Sequence, residues 1–217
     1  MKRVTLTSAL FLVFLNLYAQ DHKISIGING SLGGNKYFKE TGFDYEYKTR
    51  LTTSLGIDFH YQFNHLFLGS GLGYGTQGYQ LKYNYLIEDP GDPAIPRQSD
   101  LKVSYISIPV RFGIQLIHKN RLMFYPSVGL DLTIQTKCEE NTVFEDNSEH
   151  KSKFLIQNLH QSQVIAQLDL GTGYQLSERC IIRVTPFIGK GLSVLDYKSM
   201  KTGQLSYGCR FGVYFIL

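Results

Sequence analysis

Three aspartates and three arginines are the residues of this sequence best placed to do chemistry: Asp58, Arg111, Asp131, Asp169, Arg183 and Arg210. Most sit between apolar neighbours, as Asp131 does between Leu130 and Leu132 and Asp169 between Leu168 and Leu170. Apolar and polar residues that alternate over many positions form strands, so the six charges share polar strand faces whose opposite faces are apolar. In a narrow interior such charges are tolerated when paired, and one left alone costs several kcal/mol. The expected chemistry is therefore ion pairing across a lumen. Counted from the nearest tight turns, Asp58, Arg111 and Arg183 fall close to one end and are expected to meet. Asp169 and Arg210 lie deeper and are expected to form a second layer. Independently hydrated side chains are the alternative.

Other constellations carry weaker chemistry. Gly73-Tyr74-Gly75-Thr76-Gln77-Gly78 matches a dinucleotide-binding pattern, but Tyr79, Leu81 and Tyr83 continue it as a strand where that motif needs a helix. It reads as a small-residue interior face. His160 and Ser162, two apart near a predicted rim, resemble the His and Ser of barrel lipid A deacylases, without an obvious acid further along the hairpin. His150, Glu139, Glu140, Glu145 and Asp146 read as a solvated charged loop. Cys138, Cys180 and Cys209 show neither a disulfide framework nor zinc spacing. No catalytic residue, cofactor site or metal site is assigned, and the chain is read as not an enzyme.

Strands must position these groups. Period-two segments fall at 23–32, 51–61, 66–85, 101–115, 122–136, 163–176, 181–192 and 205–217. The third changes phase near Gly78, which predicts a bulge, and the fourth slips at Tyr105-Ile106. Pro109, Pro126 and Pro186 fall inside strands, where each removes a ladder hydrogen bond, and are read as points of local bending. The connections alternate: 62–65, the stretch around His118-Lys119-Asn120, and 177–179 are tight turns, whereas 33–50, 87–100, 137–158 and 193–203 are long and polar. Eight strands with short turns on one side and long loops on the other describe an all-β, eight-stranded antiparallel up-and-down transmembrane β-barrel. Tyr61, Phe67, Phe124, Tyr174 and Phe215 are expected as an aromatic girdle near the short turns, with Phe67 out of phase. Tyr79, Tyr83, Tyr85 and Tyr105 are expected as the girdle near the loops.

Lys2 and Arg3, an apolar run from Ala9 to Leu15 and the small Ala19 read as a secretory signal peptide over 1–19, leaving a barrel domain over 20–217. A formal charge of +4, with Gly 21, Tyr 15, Phe 14 and Trp 0, fits a strand-rich exported chain and argues against nucleic acid as a partner. The apolar final strand suits closure against the first strand and presentation to a barrel-assembly machinery. A soluble lipocalin-like ligand-binding barrel shares the alternation but turns its apolar face inward; the absent tryptophan and the apolar last strand argue against it.

The run Tyr105-Ile106-Ser107-Ile108-Pro109-Val110-Arg111-Phe112-Gly113, followed by Phe124-Tyr125-Pro126-Ser127-Val128-Gly129-Leu130, resembles the central hairpin of PorT-like outer-membrane barrel proteins of Bacteroidota-type bacteria. Asp169-Leu170-Gly171-Thr172-Gly173-Tyr174 and the Ala19-Gln20 junction are similar too. The resemblance implies a fold and an outer-membrane location and little chemistry. The expected partners are outer-membrane lipid, the assembly machinery, and an extracellular or envelope partner met through the long loops. A structural or interaction role follows as the expectation, with a lipid-modifying enzyme as a further alternative.

Overall fold

The computed structural model describes residues 22–39, 45–83, 96–119, 121–155, 162–192, 195–197 and 200–217. The predicted signal peptide, 1–19, lies outside them. Twelve strands are described: β1 (His22–Lys39), β2 (Tyr45–Thr49), β3 (Leu51–Phe63), β4 (Leu66–Tyr83), β5 (Pro96–Ile114), β6 (Ile117–Lys119), β7 (Leu122–Phe144), β8 (Glu149–Leu155), β9 (Ser162–Ser177), β10 (Cys180–Gly191), β11 (Leu195–Tyr197) and β12 (Met200–Ile216). Eight of them, β1, β3, β4, β5, β7, β9, β10 and β12, pair antiparallel in chain order. β1 also pairs β12, with Ile26 opposite Phe215 and Ile28 opposite Val213, so the sheet closes on itself. Closure gives every wall strand a partner on both sides, as backbone in lipid requires.

Alternation decides which way each side chain points. Ile24, Ile28, Leu55, Phe59, Leu72, Val110, Phe112, Leu130, Leu170, Phe211 and Val213 all face outward and are exposed, while Asp58, Arg111, Asp169 and Arg183 are buried inside. An apolar exterior around a polar interior is the reverse of a lipocalin-like barrel. In lipid, the hydrocarbon phase covers this band.

At the short-turn end, Asn64 and Arg121 adopt positive φ (53° and 69°) in the β3–β4 and β6–β7 turns. Asparagine accepts that conformation readily. β6 pairs β7 from Ile117 opposite Phe124 to Lys119 opposite Leu122, so part of the stretch expected as a turn is strand. At the other end three expected long loops are largely strand, 193–203 among them, with β11 at 195–197 and β12 from Met200. β1 runs to Lys39 and β2 fills 45–49; β7 runs to Phe144 and turns into β8. The β7–β8 turn is closed by Phe144 N–H to Ser148 O (3.0 Å), with Asn147 at φ 63°.

The predicted bulge at Gly78 is corrected. β4 and β5 stay in one register from Leu66 opposite Ile114 to Lys82 opposite Gln98. Instead, the apolar residues change faces. Leu72 and Tyr74 point to lipid, whereas Leu81 packs inside with Leu101, Val103 and Cys138, and Tyr79 against them. Beyond the hydrocarbon zone the sheet needs an apolar core on its inner side, so the pattern inverts without a slip. The extra residue lies on the neighbouring segment between β2 and β3, where Arg50 N–H bonds Gly78 O (3.2 Å). The Tyr105-Ile106 slip has the same cause, with a true register shift opposite it on β7, next to Thr136.

The proline sites coincide with interruptions in pairing. The β4–β5 register skips from Ser70 to Gly73 beside Pro109, and the β9–β10 register from Val184 to Phe187 beside Pro186. Pro126 falls between the β5 and β6 pairings of β7.

Candidate functional site: a packed lumen and an outward sheet

The lumen is built on rungs in which a glycine separates two large side chains. Cross-strand pairing sets Tyr214, Gly27 and Asp58 side by side on β12, β1 and β3. Because Gly27 has no side chain, the Tyr214 ring lies across it and donates its hydroxyl to Asp58 Oδ2 (2.8 Å); a Cβ at Gly27 would run into the ring. Arg111, Gly129 and Gln167 form a second such rung on β5, β7 and β9. Arg111 crosses Gly129 to donate through Nε to Asp169 Oδ2 (2.8 Å) and through Nη2 to Gln167 Oε1 (3.5 Å). Arg183 stands between Gly173 and Gly212.

That space lets the Arg183 guanidinium sit between two rings, 4.3 Å from the centroids of both Tyr125 and Tyr214. A desolvated cation on an aromatic face contributes about 2 kcal/mol or more. Arg183 also donates through Nη1 to His60 Nδ1 (3.0 Å). An arginine only donates, so Nδ1 accepts and the ring hydrogen of His60 sits on Nε2, 3.9 Å from Asp58 Oδ2. The His60 ring stacks on Phe67 at 5.5 Å and meets Tyr214 edge-on at 5.2 Å. Phe67, Met123, Tyr125, Ile181 and Tyr214 are buried together at the short-turn end, with Ile216 packed against them.

The six charges found in the sequence all face the interior; the expected deeper pair of Asp169 and Arg210 forms, but the expected group near the short turns does not. Asp58, Arg111 and Arg183 do not meet as one cluster: Asp58 takes Tyr214, Arg183 takes two rings and His60, and Arg111 takes Asp169. Arg210 Nη1 lies 3.6 Å from Asp169 Oδ2, so one carboxylate serves two arginines. Ser127 Oγ approaches the same oxygen at 3.4 Å. Asp131 faces a cavity of about 80 Å³ on the rim side, together with Thr133, Gln204 and Tyr105. Asp131 Oδ1, Thr133 Oγ1 and Gln204 Oε1 have no protein hydrogen-bond partner there, the environment in which buried water is held. His60, Tyr125 and Tyr214 carry no charge pattern or motif that marks them in the sequence. Parity would have found them: His60 follows Asp58 on one face, Tyr125 precedes Ser127, and Tyr214 follows Gly212.

Phe67 and Tyr105 face the interior, and Tyr79 packs against the inner apolar cluster, so these three leave the expected girdles. Tyr61, Tyr174 and Phe215 are exposed on the lipid face near the short turns. Tyr83 is described only as backbone and Tyr85 lies outside the described residues. Ser162 is exposed at the start of β9, and His160 lies outside the described residues.

On the rim side, β2, β4, β5, β7 and β8 continue past the lipid-facing band as one sheet. Its outer face is charged. Arg50 Nη2 meets Asp100 Oδ1 (2.7 Å), and Lys137 Nζ meets Glu139 Oε1 (2.6 Å).

A family model described as the outer membrane protein beta-barrel domain matches residues 18–189. The chain belongs to that family. It is a small eight-stranded barrel of the cell outer membrane. No curated protein matches it. Solved structures similar to it include neisserial surface protein A, with 14% identity over 85% of this chain and 95% of that one at a TM-score of 0.41. The outer membrane protein OprG of Pseudomonas aeruginosa shows 13% identity, 91% and 96% coverage and a TM-score of 0.45. Ail of Yersinia pestis, solved with the heparin analogue sucrose octasulfate, shows 11% identity, 88% and 99% coverage and a TM-score of 0.39.

Proposed function

We propose that this barrel is a closed-lumen outer-membrane protein whose work is interaction: it holds a sheet outside the membrane, conducts nothing and catalyses nothing. The observation that carries this reading is the layer formed by Arg183 with Tyr125, Tyr214 and His60 above Phe67, Met123 and Ile181. A lumen filled by interlocked rings and a guanidinium is a support, and the part free to meet a partner is the sheet above it. Among the described residues three arginines balance three aspartates in the lumen, which leaves little excess charge there to draw an ion through. The Ile-Pro hairpin supports a finer placement among PorT-like barrels. Outer-membrane lipid, the assembly machinery during biogenesis and an extracellular or envelope partner are the partners this role requires.

The test is exposure of the β7–β8 turn. Asn147→Cys, in a background with Cys138, Cys180 and Cys209 replaced, should react on intact cells with a membrane-impermeant maleimide. Labelling only after the outer membrane is opened would overturn the outward orientation.

A further inference from the structure

The outer face of the extramembrane sheet carries an ordered array of cations directly above the lipid band. Register defines it. Gly78, Lys102, Glu139 and Lys153 lie on one transverse line across β4, β5, β7 and β8. The next line outward carries Lys48, Gln80, Asp100, Asn141 and Lys151. One step toward the membrane, Lys137 pairs Ser104, which pairs Thr76, the next residue on that face of β4 after the lipid-exposed Tyr74. β4 stays in register throughout, so all these residues share the face of Leu72 and Tyr74.

A shallow trough of about 430 Å³ runs over this face, from Leu51 and Thr76 at the membrane end to Lys151 and Lys153. Its floor is Gly78, where a Cβ would press on the Arg50 Cβ at 3.1 Å. Leu51 at its foot is 67% exposed and continues into the lipid-facing Leu55. The cations outnumber the carboxylates. Asp100 is occupied by Arg50 and also accepts from Gln80 (2.8 Å). Glu139 meets Lys137 and lies 3.9 Å from Lys153, Glu140 also lines the trough, and its cations Arg50, Lys102, Lys151 and Lys153 outnumber its carboxylates Asp100, Glu139 and Glu140. Successive positions on one face are about 7 Å apart, which sets the cations at headgroup height above the band.

We infer that this trough seats a phosphorylated lipid of the outer leaflet, its phosphate among Lys102, Lys153 and Arg50 and its acyl chains against Leu51, Leu55, Leu72 and Tyr74. The inference rests on the outward orientation proposed above. A cationic head joined to an apolar foot matches an amphiphile with an anionic headgroup, whereas a soluble polyanion would leave the foot unused. Juxtamembrane lysines attract such headgroups electrostatically. Glu139, the only carboxylate on its line, weakens that field and sets its strength.

Native mass spectrometry of the folded protein in neutral detergent, with lipid A as the probe, tests this. The Lys102→Gln/Lys153→Gln variant should retain the lipid roughly thirtyfold less well than wild type, and Glu139→Gln should retain it better. Lys190→Gln, exposed on β10 away from the trough, should match wild type. Retention of heat-modifiable gel migration establishes that each variant is folded. Equal retention by the double variant and wild type overturns the inference, as does equal retention of dephosphorylated lipid A. Displacement by inorganic phosphate at equal concentration also overturns it, because the acyl foot would then contribute nothing. Binding in detergent does not depend on which way the barrel faces, so failure of the orientation test and failure of this one are separable.

Discussion

The Tyr214 hydroxyl donates to Asp58 Oδ2 at 2.8 Å across the bare backbone of Gly27, joining the last strand to the second wall strand over the first. The contact spans the seam where the barrel closes, between residues 156 positions apart. Tyr214→Phe keeps the ring on Arg183 and leaves the carboxylate with one partner fewer. We expect a loss of about 1–3 kcal/mol, the cost of leaving a buried acceptor unsatisfied. Urea unfolding in lipid vesicles measures it, and an unchanged midpoint would show that the hydrogen bond contributes nothing.

Gly27→Leu should be worse than Tyr214→Phe. A side chain at position 27 occupies the space of the Tyr214 ring, and displacing the ring also strips one aromatic face from Arg183. Overpacking of this kind typically costs about 1–3 kcal/mol, on top of the lost hydrogen bond and cation–π contact. The heat-modifiable band should convert to its unfolded mobility at a lower temperature than in Tyr214→Phe; the reverse order would contradict the rung description.

Asp169→Asn should destabilise the barrel more than any single change at Asp131. Asp169 lies 2.8 Å from Arg111 and 3.6 Å from Arg210, whereas Asp131 has no ion pair within 4 Å among the described residues. Removing the charge leaves two buried guanidiniums facing each other, and breaking a buried pair costs about 3–5 kcal/mol. Urea midpoints of Asp169→Asn and Asp131→Asn give the comparison, and equal midpoints would refute it.

The sequence was informative where a rule acts along one strand and silent where it acts between strands. Alternation alone placed Asp58, Arg111, Asp131, Asp169, Arg183 and Arg210 on the inner face, because the parity of a strand is local. Which charge meets which depends on register. Arg111 reaches Asp169 and not Asp58 because Gly129 is its neighbour on β7, and no spacing along the chain reports that. The inverted apolar face at Leu81 and Leu101 looked like a bulge for a related reason: the environment of the sheet changes from lipid to water while the strand does not. The extension of β7 to Phe144 has the composition of a loop, since Glu139, Glu140 and Asn141 suggest a solvated segment, and an extramembrane strand is solvated on its outer side.

Acid should loosen the β7–β8 turn only at unusually low pH. The Ser148 hydroxyl and backbone N–H both bond the Asp146 carboxylate, the N–H at 2.8 Å, and hold its pKa below the ordinary 3.8. A lowered carboxylate pKa means the contact is fully present above the ordinary value and is lost as pH falls through the lowered one. The Ser148 amide resonance should therefore titrate with a midpoint below 3.8. A midpoint at or above that value would show that the Asp146 contact does not hold in solution.

Conductance across a planar bilayer addresses the central claim most directly. Wild-type protein, with Arg183 held between Tyr125 and Tyr214, should insert without opening steady channels. A variant with Arg183, Tyr125 and Tyr214 all changed to alanine should admit measurable current if it folds, since those three side chains and His60 fill the lumen together. Stable, large channels from the wild-type protein would contradict the account.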